Sequence, residues 1–133
     1  MPRLYRLLPA VSLALLAACS SHRNPEQTFT LAKQSQCPAH LAVGQHLNLT
    51  LPSLPTTGYR WHSVEAASGV LQSLGPEVYS NPEDSGLVGG NGQSLWRFKV
   101  IAAGSGHLKW VSQQPWAPEV KPVDVFECDI DAR

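Results

Sequence analysis

Short segments in which apolar and polar residues alternate are the feature that most limits the folds open to this chain. Each segment is bounded by Gly, Pro, Asn or Ser, and no window of eleven residues carries a helical stripe of apolar residues. A period of two is the spacing of a strand that buries one face. The sequence therefore predicts an all-β sandwich of antiparallel strands. The alternating residues are Leu47, Leu49 and Leu51; Tyr59 and Trp61; Trp96, Phe98 and Val100; Leu108 and Trp110; and Phe126, Cys128 and Ile130.

Length and composition agree with that prediction and limit the classes of function that the chain can have. A chain of 133 residues supports one domain, and its 11 prolines and 10 glycines indicate many turns and few long helices. Four tryptophans fit a core between two sheets, because each can bury a large apolar area. The formal charge is zero, and no basic face is visible, so nucleic acid is not an expected partner.

The first nineteen residues have the features of an export signal. Arg3 and Arg6 precede an apolar run from Leu7 to Ala18, which is too short for a comfortable membrane span. The run ends in Leu-Ala-Ala-Cys at Cys19, which resembles the lipobox of bacterial lipoproteins. That resemblance implies a lipidated Cys19 after removal of the preceding peptide. An ordinary secretory signal with a chance cysteine is the alternative.

Either interpretation takes the protein out of the cytoplasm. Under the lipoprotein interpretation, residues 1–19 are the signal ending at the lipidated cysteine, residues 20–28 are a polar tether, and residues 29–133 are the folded domain. Ser20 stands where many lipoproteins of the inner membrane have aspartate, so the outer membrane is favoured. We therefore expect a protein of the cell envelope, held on the membrane by its lipid and facing the periplasm or the surface.

Two cysteines remain once Cys19 is assigned to lipid. Cys37 and Cys128 form an even pair in an oxidising compartment, where a bridge would tie the start of the domain to its last segment. Chain entropy gives such a bridge at most about 4–5 kcal/mol. Two free thiols are the alternative. The chain has no C-x-x-C pair, so neither a structural zinc site nor a dithiol redox centre is expected.

The first of three turn-rich stretches covers residues 52–58. Pro55 has a fixed φ and restricts the residue before it, and Gly58 can adopt the positive φ that closes a turn. Thr56 and Thr57 are left at the tip, and Tyr59 begins the next strand. Threonine is β-branched and has few rotamers, so a partner would order this tip at a small entropic cost. A plain turn between two strands is the alternative.

The second and third stretches cover residues 80–94 and 112–122. The second contains Gly89, Gly90, Asn91 and Gly92, a density of glycine that lets backbone approach another surface closely. No Lys-Ser/Thr pair follows, so a phosphate-binding P-loop is not expected. The third stretch places Trp116 between two prolines, where a tryptophan is either a core residue or a binding anchor.

The order of these stretches carries a family resemblance. Pro-Thr-Thr-Gly-Tyr at 55–59, the glycine-rich run at 89–92 and Pro-Trp at 115–116 resemble the chagasin-type inhibitors of papain-family cysteine peptidases. Their three motifs are Asn-Pro-Thr-Thr-Gly-Tyr, Gly-x-Gly-Gly and Arg-Pro-Trp, and the resemblance extends from about residue 40 onward. This chain departs from them at Leu54, Asn91 and Gln114, where the family has Asn, Gly and Arg.

The resemblance implies an immunoglobulin-like sandwich that inhibits its target reversibly and without a covalent bond. The first loop would enter the peptidase cleft over the catalytic cysteine, and the other two would brace it. We expect a monomeric inhibitor, not an enzyme, with no cofactor. A non-inhibitory immunoglobulin-like envelope or adhesion module is the alternative. The implied peptidase-binding residues are Pro55, Thr56, Thr57, Gly58, Tyr59, Gly89, Gly90, Asn91, Gly92, Gln114, Pro115 and Trp116.

Catalytic and metal-binding patterns are weak in this sequence. No G-x-S-x-G elbow is present, and none of the domain's histidines has metal-ligand spacing to another. Three acidic residues alternate along the last segment, which is typical of a solvated strand face; a calcium site is a remote alternative. An envelope hydrolase is thus unsupported, and no metal is expected. The histidines are His40, His46, His62 and His107, and the acidic residues are Glu127, Asp129 and Asp131.

Overall fold

Strands account for most of the residues in the structure, a computed structural model that describes residues 24–81 and 92–133. Two short 3-10 turns, Gln34–Gln36 and Pro55–Thr57, lie between strands. Within the described ranges, no helix is long and apolar enough to cross a membrane. The strands are β1 (Phe29–Leu31), β2 (Ala39–Leu41), β3 (His46–Ser53), β4 (Arg60–Ala66), β5 (Leu71–Ser73), β6 (Val78–Ser80), β7 (Gly92–Val100), β8 (Gly104–Gln113) and β9 (Asp124–Ala132).

The strands form two sheets, which confirms the all-β prediction. One sheet has the order β1-β3-β7-β5, with β6 also paired to β7, and the other has the order β2-β9-β8-β4. Neighbours are antiparallel except that β1 pairs with β3, and β2 with β9, in parallel. These parallel pairs differ from the antiparallel expectation. Alternation reports which face of a strand is buried, but not which neighbour an edge strand pairs with.

The alternating residues supply the core between the sheets. Leu47, Leu49, Phe98, Val100 and Ile130 are all buried there, as their period of two predicts. Burying a side chain of this size contributes roughly 1.5–3 kcal/mol relative to leaving it in water. The same cluster includes Trp61 and Trp110, with Trp96 partly buried against it.

A disulfide fixes the segment before β2 to the last strand. Cys37 and Cys128 are bridged across 91 positions of the sequence. Cys128 lies in the core, opposite Leu108 on β8. The bridge confirms the predicted pairing and excludes the alternative of two free thiols.

The ends of five strands meet at one end of the sandwich. Trp61 links the two sheets there, because its indole N–H donates to the carbonyl of Pro52 at 2.8 Å. We call this end, formed by residues 53–60, Gly92 and residues 113–124, the loop pole. The terminal register pairs are Ser53 with Gly92, Arg60 with Gln113, and Ser112 with Asp124.

Residues 24–28, which belong to the predicted tether, lie at the opposite end. The Gln45 side-chain amide donates to the carbonyl of Gln27 at 2.8 Å. Pro25 lies beside Gly44, whose amide donates to the carbonyl of Val100 at 2.8 Å. The described part of the tether therefore packs against the domain, at the end away from the loop pole.

Candidate functional site

The first loop of the loop pole is a closed 3-10 turn. Pro55 takes the first position of the turn, where its fixed φ suits the geometry and no backbone donor is needed. The amide of Thr57 donates to the carbonyl of Leu54 at 3.1 Å, and the amide of Gly58 donates to that of Pro55 at 3.0 Å. Gly58 has a φ of 80°, in the left-handed region that glycine adopts without strain. The sequence thus closes this loop locally.

Both tip threonines are exposed, but they differ in how their surroundings hold them. The Thr57 hydroxyl donates to the Leu54 carbonyl at 2.7 Å and lies 3.5 Å from the amide of Tyr59. Its side chain is therefore part of the turn. Thr56 lies between Pro55 and Thr57 in the turn, and its side chain is exposed as well. The loop presents a surface that is already ordered, which reduces the entropic cost of binding.

The third loop lies directly against the first. The indole of Trp116 covers Gly58: a Cβ added there would collide with Cη2 of the ring and lie 3.0 Å from Cζ3. The side-chain amide of Gln114 donates to the carbonyl of Thr57 at 3.3 Å, across 57 positions of sequence. Trp116 is 68% exposed, so it is not a core residue. Two loops that are distant in the chain form one surface.

Further bonds shape the third loop. The Gln113 side-chain amide lies 3.4 Å from the carbonyl of Pro118 and 3.2 Å from that of Val120, so β8 ends with a side chain that holds the returning loop. The amide of Ala117 donates to the carbonyl of Gln114 at 3.0 Å. Pro115 and Trp116 lie inside this turn. Gln114 lacks the guanidinium that the family has at this position, but its side-chain amide still donates one hydrogen bond to the first loop.

A cavity of about 250 Å³ opens beside the first loop. Leu54, the residue that replaces the family's Asn, is 43% exposed at its rim. The Leu54 side chain makes no hydrogen bond that caps the turn, and only the Leu54 carbonyl accepts hydrogen bonds from it. The loop pole therefore has a concave flank with a leucine next to the tip. The lining residues are Pro52, Ser53, Leu54, Thr57, Tyr59, Trp61, Ser112, Val123 and Asp124.

The glycine-rich stretch reaches the loop pole through its last residue. Gly92 is buried as the first residue of β7, opposite Ser53. A Cβ there would collide with the Tyr79 hydroxyl and lie 2.6 Å from the carbonyl of Ser80, so only glycine fits. Gly92 is thus a strand residue where the sequence predicted a loop. Gly89, Gly90 and Asn91 lie outside the described residues, as does Cys19.

The sequence did not identify Arg60 as a site residue, and it placed Trp61 only among the alternating strand residues. Arg60 donates from one guanidinium nitrogen to the carbonyl of Pro55 at 2.8 Å and to that of Tyr59 at 3.2 Å. Trp61 joins the sheets below the loop. Both follow the motif directly, and the alternation that buries Trp61 also points Arg60 away from the core. That pattern could have identified a long donor beside the turn.

The acidic residues of β9 lie on the outer face of the four-stranded sheet, away from the loop pole, and are paired with histidines. His107 Nδ1 lies 2.7 Å from Asp129, while Nε2 lies 3.3 Å from Glu127 and 3.6 Å from Glu65. Hydrogen bonds that His107 donates, to Asp129 first and then to Glu127, raise the pKa of His107 above its usual value of 6.5. His40 lies 3.1 Å from Asp131. No cluster in residues 24–81 and 92–133 is arranged to hold a metal ion.

Known proteins share both the sequence pattern and the fold. The family described as Chagasin family peptidase inhibitor I42 matches residues 40–130. Chagasin of Trypanosoma cruzi is 31% identical over 81 residues, which cover 57% of this chain and 71% of that one. A cysteine protease inhibitor of Entamoeba histolytica superposes with a TM-score of 0.67 at 18% identity, covering 80% of this chain and 96% of its own. Amebosin superposes with a TM-score of 0.54 at 20% identity, covering 81% of this chain and 100% of its own.

The family match spans β2 to β9, including the residues that build the described part of the loop pole. It agrees with the resemblance in the loop motifs and with the two-sheet architecture. The chain therefore belongs to the chagasin family, and it is a peptidase inhibitor and not an enzyme.

Proposed function

We propose that this protein inhibits papain-family cysteine peptidases reversibly, by inserting the loop pole into the active-site cleft. The first loop, with Thr56 and Thr57, is the part that covers the catalytic cysteine. Trp116 and residues 89–92 brace the cleft on either side. The observation that carries the proposal is the contact of Trp116 with Gly58, together with the bond between Gln114 and Thr57.

The turn geometry supports a loop that blocks a peptidase without being cut. Cleavage requires a peptide carbonyl that lies in line with the attacking thiolate. Residues 55–57 form a tight turn, and the carbonyls of Leu54, Pro55 and Thr57 already accept hydrogen bonds within the domain. Presenting one of these carbonyls to the thiolate would break those bonds. The loop is therefore bound as a folded surface.

Trp116 is the expected anchor of the interface. Aromatic side chains that become fully covered on binding dominate interface energies, and Trp116 has most of its surface available. An interface of standard size would bury on the order of 1,600 Å² in total. The cavity next to Leu54 can receive a protruding side chain of the peptidase at the edge of that contact.

Titration of the full chain, purified in mild detergent, against papain and cathepsin L tests the proposal. We expect stoichiometric inhibition that is reversed by dilution, and a loss of about 30-fold or more in affinity for Trp116→Ala. Val64→Ala removes an exposed apolar side chain from β4, outside the loop pole, and is the control. A folded chain that inhibits neither enzyme would contradict the proposal and favour the non-inhibitory envelope or adhesion module.

We also propose that lipid on Cys19 anchors a monomeric protein to the outer membrane with the loop pole directed away from the bilayer. The position of Pro25 and Gln27 at the opposite end supports this orientation. Detergent-phase partitioning of the wild type and of Cys19→Ser tests the anchor, with the mass of the mature amino end as a second measurement. Equal partitioning of both chains would contradict lipidation.

A further inference from the structure

Arg60 joins the two ends of the first loop. One guanidinium nitrogen donates to the carbonyl of Pro55, which begins the turn, and to the carbonyl of Tyr59, which follows it. The Pro55 carbonyl also accepts the amide of Gly58. The Pro55 oxygen therefore holds the loop closed through two hydrogen bonds, one from the backbone amide of Gly58 and one from the side chain of Arg60 on β4.

The bonds from Arg60 are the only charge-assisted bonds among those that the described residues make to the carbonyls of this turn. Charged donors form stronger hydrogen bonds than neutral ones. The corresponding bond from the third loop, between the Gln114 amide and Thr57, is neutral and longer at 3.3 Å. Arg60 is itself exposed and is fixed at the start of β4, opposite Gln113. Its backbone is therefore held by the sheet while its side chain holds the loop.

We propose that Arg60 is a positioning residue of the inhibitory loop and keeps it in a conformation that a peptidase binds but does not cut. This inference rests on the proposed function. Without Arg60, the Pro55 carbonyl keeps only the Gly58 amide and the turn opens more often. An opened turn gives extended backbone at residues 54–59, with carbonyls free to align with the thiolate. The inhibitor then becomes a slow substrate.

Substitution of two arginines separates this role from a general effect of charge. Arg60→Met keeps an unbranched apolar side chain, shorter than arginine, but removes its donors and its charge, whereas Arg97→Met makes the same change at an exposed position in the middle of β7. We expect Arg60→Met to raise the inhibition constant against papain about tenfold. We also expect mass spectrometry to detect slow cleavage within residues 54–59. Arg97→Met should do neither. Equal effects of both variants, or an unchanged Arg60→Met, would overturn the inference.

Arg60→Lys adds a test of donor chemistry. Lysine keeps a charged donor that can reach one carbonyl, but it lacks the planar guanidinium, so it should recover part of the lost affinity. A purely steric role would make the lysine and methionine variants alike, which would also overturn the inference.

Hydrogen exchange in the free protein tests the same inference without a peptidase. In Arg60→Met the amides of Thr57 and Gly58 should exchange about tenfold faster, while the amides of β3 and β7 keep their rates. Unchanged exchange at those two amides would overturn the positioning role, whatever the inhibition assays give. If exchange rises but the wild type inhibits no papain-family enzyme, the proposed function fails, and with it the role of Arg60 in inhibition.

Discussion

Two tryptophans show how differently the interior and the loop pole are built. Trp110 is 2% exposed and packs edge-on against Trp96 and Phe98, with ring centroids 5.8 and 5.9 Å away. Trp116 is 68% exposed and rests on a glycine. The first is held by many non-directional contacts between two sheets. The second is held by the turns of a loop and by the contact of its ring edge with Gly58.

This difference teaches that stability and inhibition are encoded in separate parts of the chain. The interior is stabilised by the burial of many apolar side chains, and any loss of side-chain volume there lowers the free energy of unfolding. The loop pole depends on a few directional bonds that involve Thr57, Gly58, Arg60 and Gln114. Substitutions inside should therefore lower the free energy of unfolding, and substitutions at the pole should mainly change affinity.

The same substitution in the two regions gives the largest contrast. Leu49→Ala empties a fully buried position and should lower the free energy of unfolding by about 2–5 kcal/mol. Leu54→Ala removes a side chain that is 43% exposed and should change it by less than about 0.5 kcal/mol. Denaturant titration at a constant m-value measures both. If Leu54→Ala destabilised the fold as much as Leu49→Ala, the separation between the regions would not hold.

Removal of the disulfide should be nearly as costly to stability, without reaching the loop pole. The double variant Cys37→Ala/Cys128→Ala frees a loop of 91 positions and should lower the free energy of unfolding by about 2–5 kcal/mol. Affinity for papain should stay within about twofold, because the bridge lies where Cys128 pairs with Leu108 in the core and not at the loop pole. Thermal unfolding and inhibition assays on the same preparation check both parts. A large loss of affinity in the folded variant would show that the regions are coupled.

The strands of the interior could be predicted from the sequence, because burial of one face of a strand requires apolar and polar residues to alternate. Leu47, Leu49 and Leu51 alternate with polar residues, and the structure buries all three in β3. The parallel pairing of β1 with β3, and of β2 with β9, could not be predicted, since three-residue edge strands carry too little pattern. Strand ends were also uncertain: Gly92 begins β7 because pairing with Ser53 extends the ladder into the glycine-rich stretch.

The loop pole could be predicted only in part, through its motifs. Proline and glycine indicated a rigid turn at 55–58, and the structure has one there. Composition alone left Trp116 open between a core residue and an anchor, and the family resemblance favoured the anchor; the structure leaves its side chain 68% exposed. Arg60 was missed because its role depends on two carbonyls in space and not on any periodicity. Directional bonds between side chain and backbone are what a pattern of apolar residues does not record.

Gly58→Ala should affect both regions, but unequally. The left-handed φ of 80° and the indole of Trp116 leave no room for a Cβ, so we expect a loss of about 1–2 kcal/mol in the free energy of unfolding. Displacement of Trp116 should weaken inhibition at least as much as Trp116→Ala does. Gly69→Ala is the matched control, because nothing lies within 4 Å of its added Cβ. Tight inhibition by Gly58→Ala would show that the ring contact is not part of the site.

The smallest expected effect lies on the outer sheet face around His107, which belongs to neither region. Asp129, Glu127 and Glu65 face His107, and Lys109 lies 3.6 Å from Glu127. Because the folded state raises the pKa of His107 above 6.5, its protonated form stabilises the fold. This contribution is fully present below the unfolded pKa and is lost as the pH rises through the folded value.

Comparison of the wild type with His107→Gln between about pH 5.5 and about pH 8.5 isolates this contribution. The midpoint difference should be about 1–4 °C at the acidic end and should vanish at the basic end, since exposed ion pairs are weak. His46→Gln, on an exposed position of the other sheet, is the control for loss of an imidazole. Affinity for papain should not differ between the wild type and His107→Gln at any pH. A pH-dependent change in affinity that His107→Gln abolishes would connect the sheet face to the loop pole, and the separation of stability from inhibition would then fail.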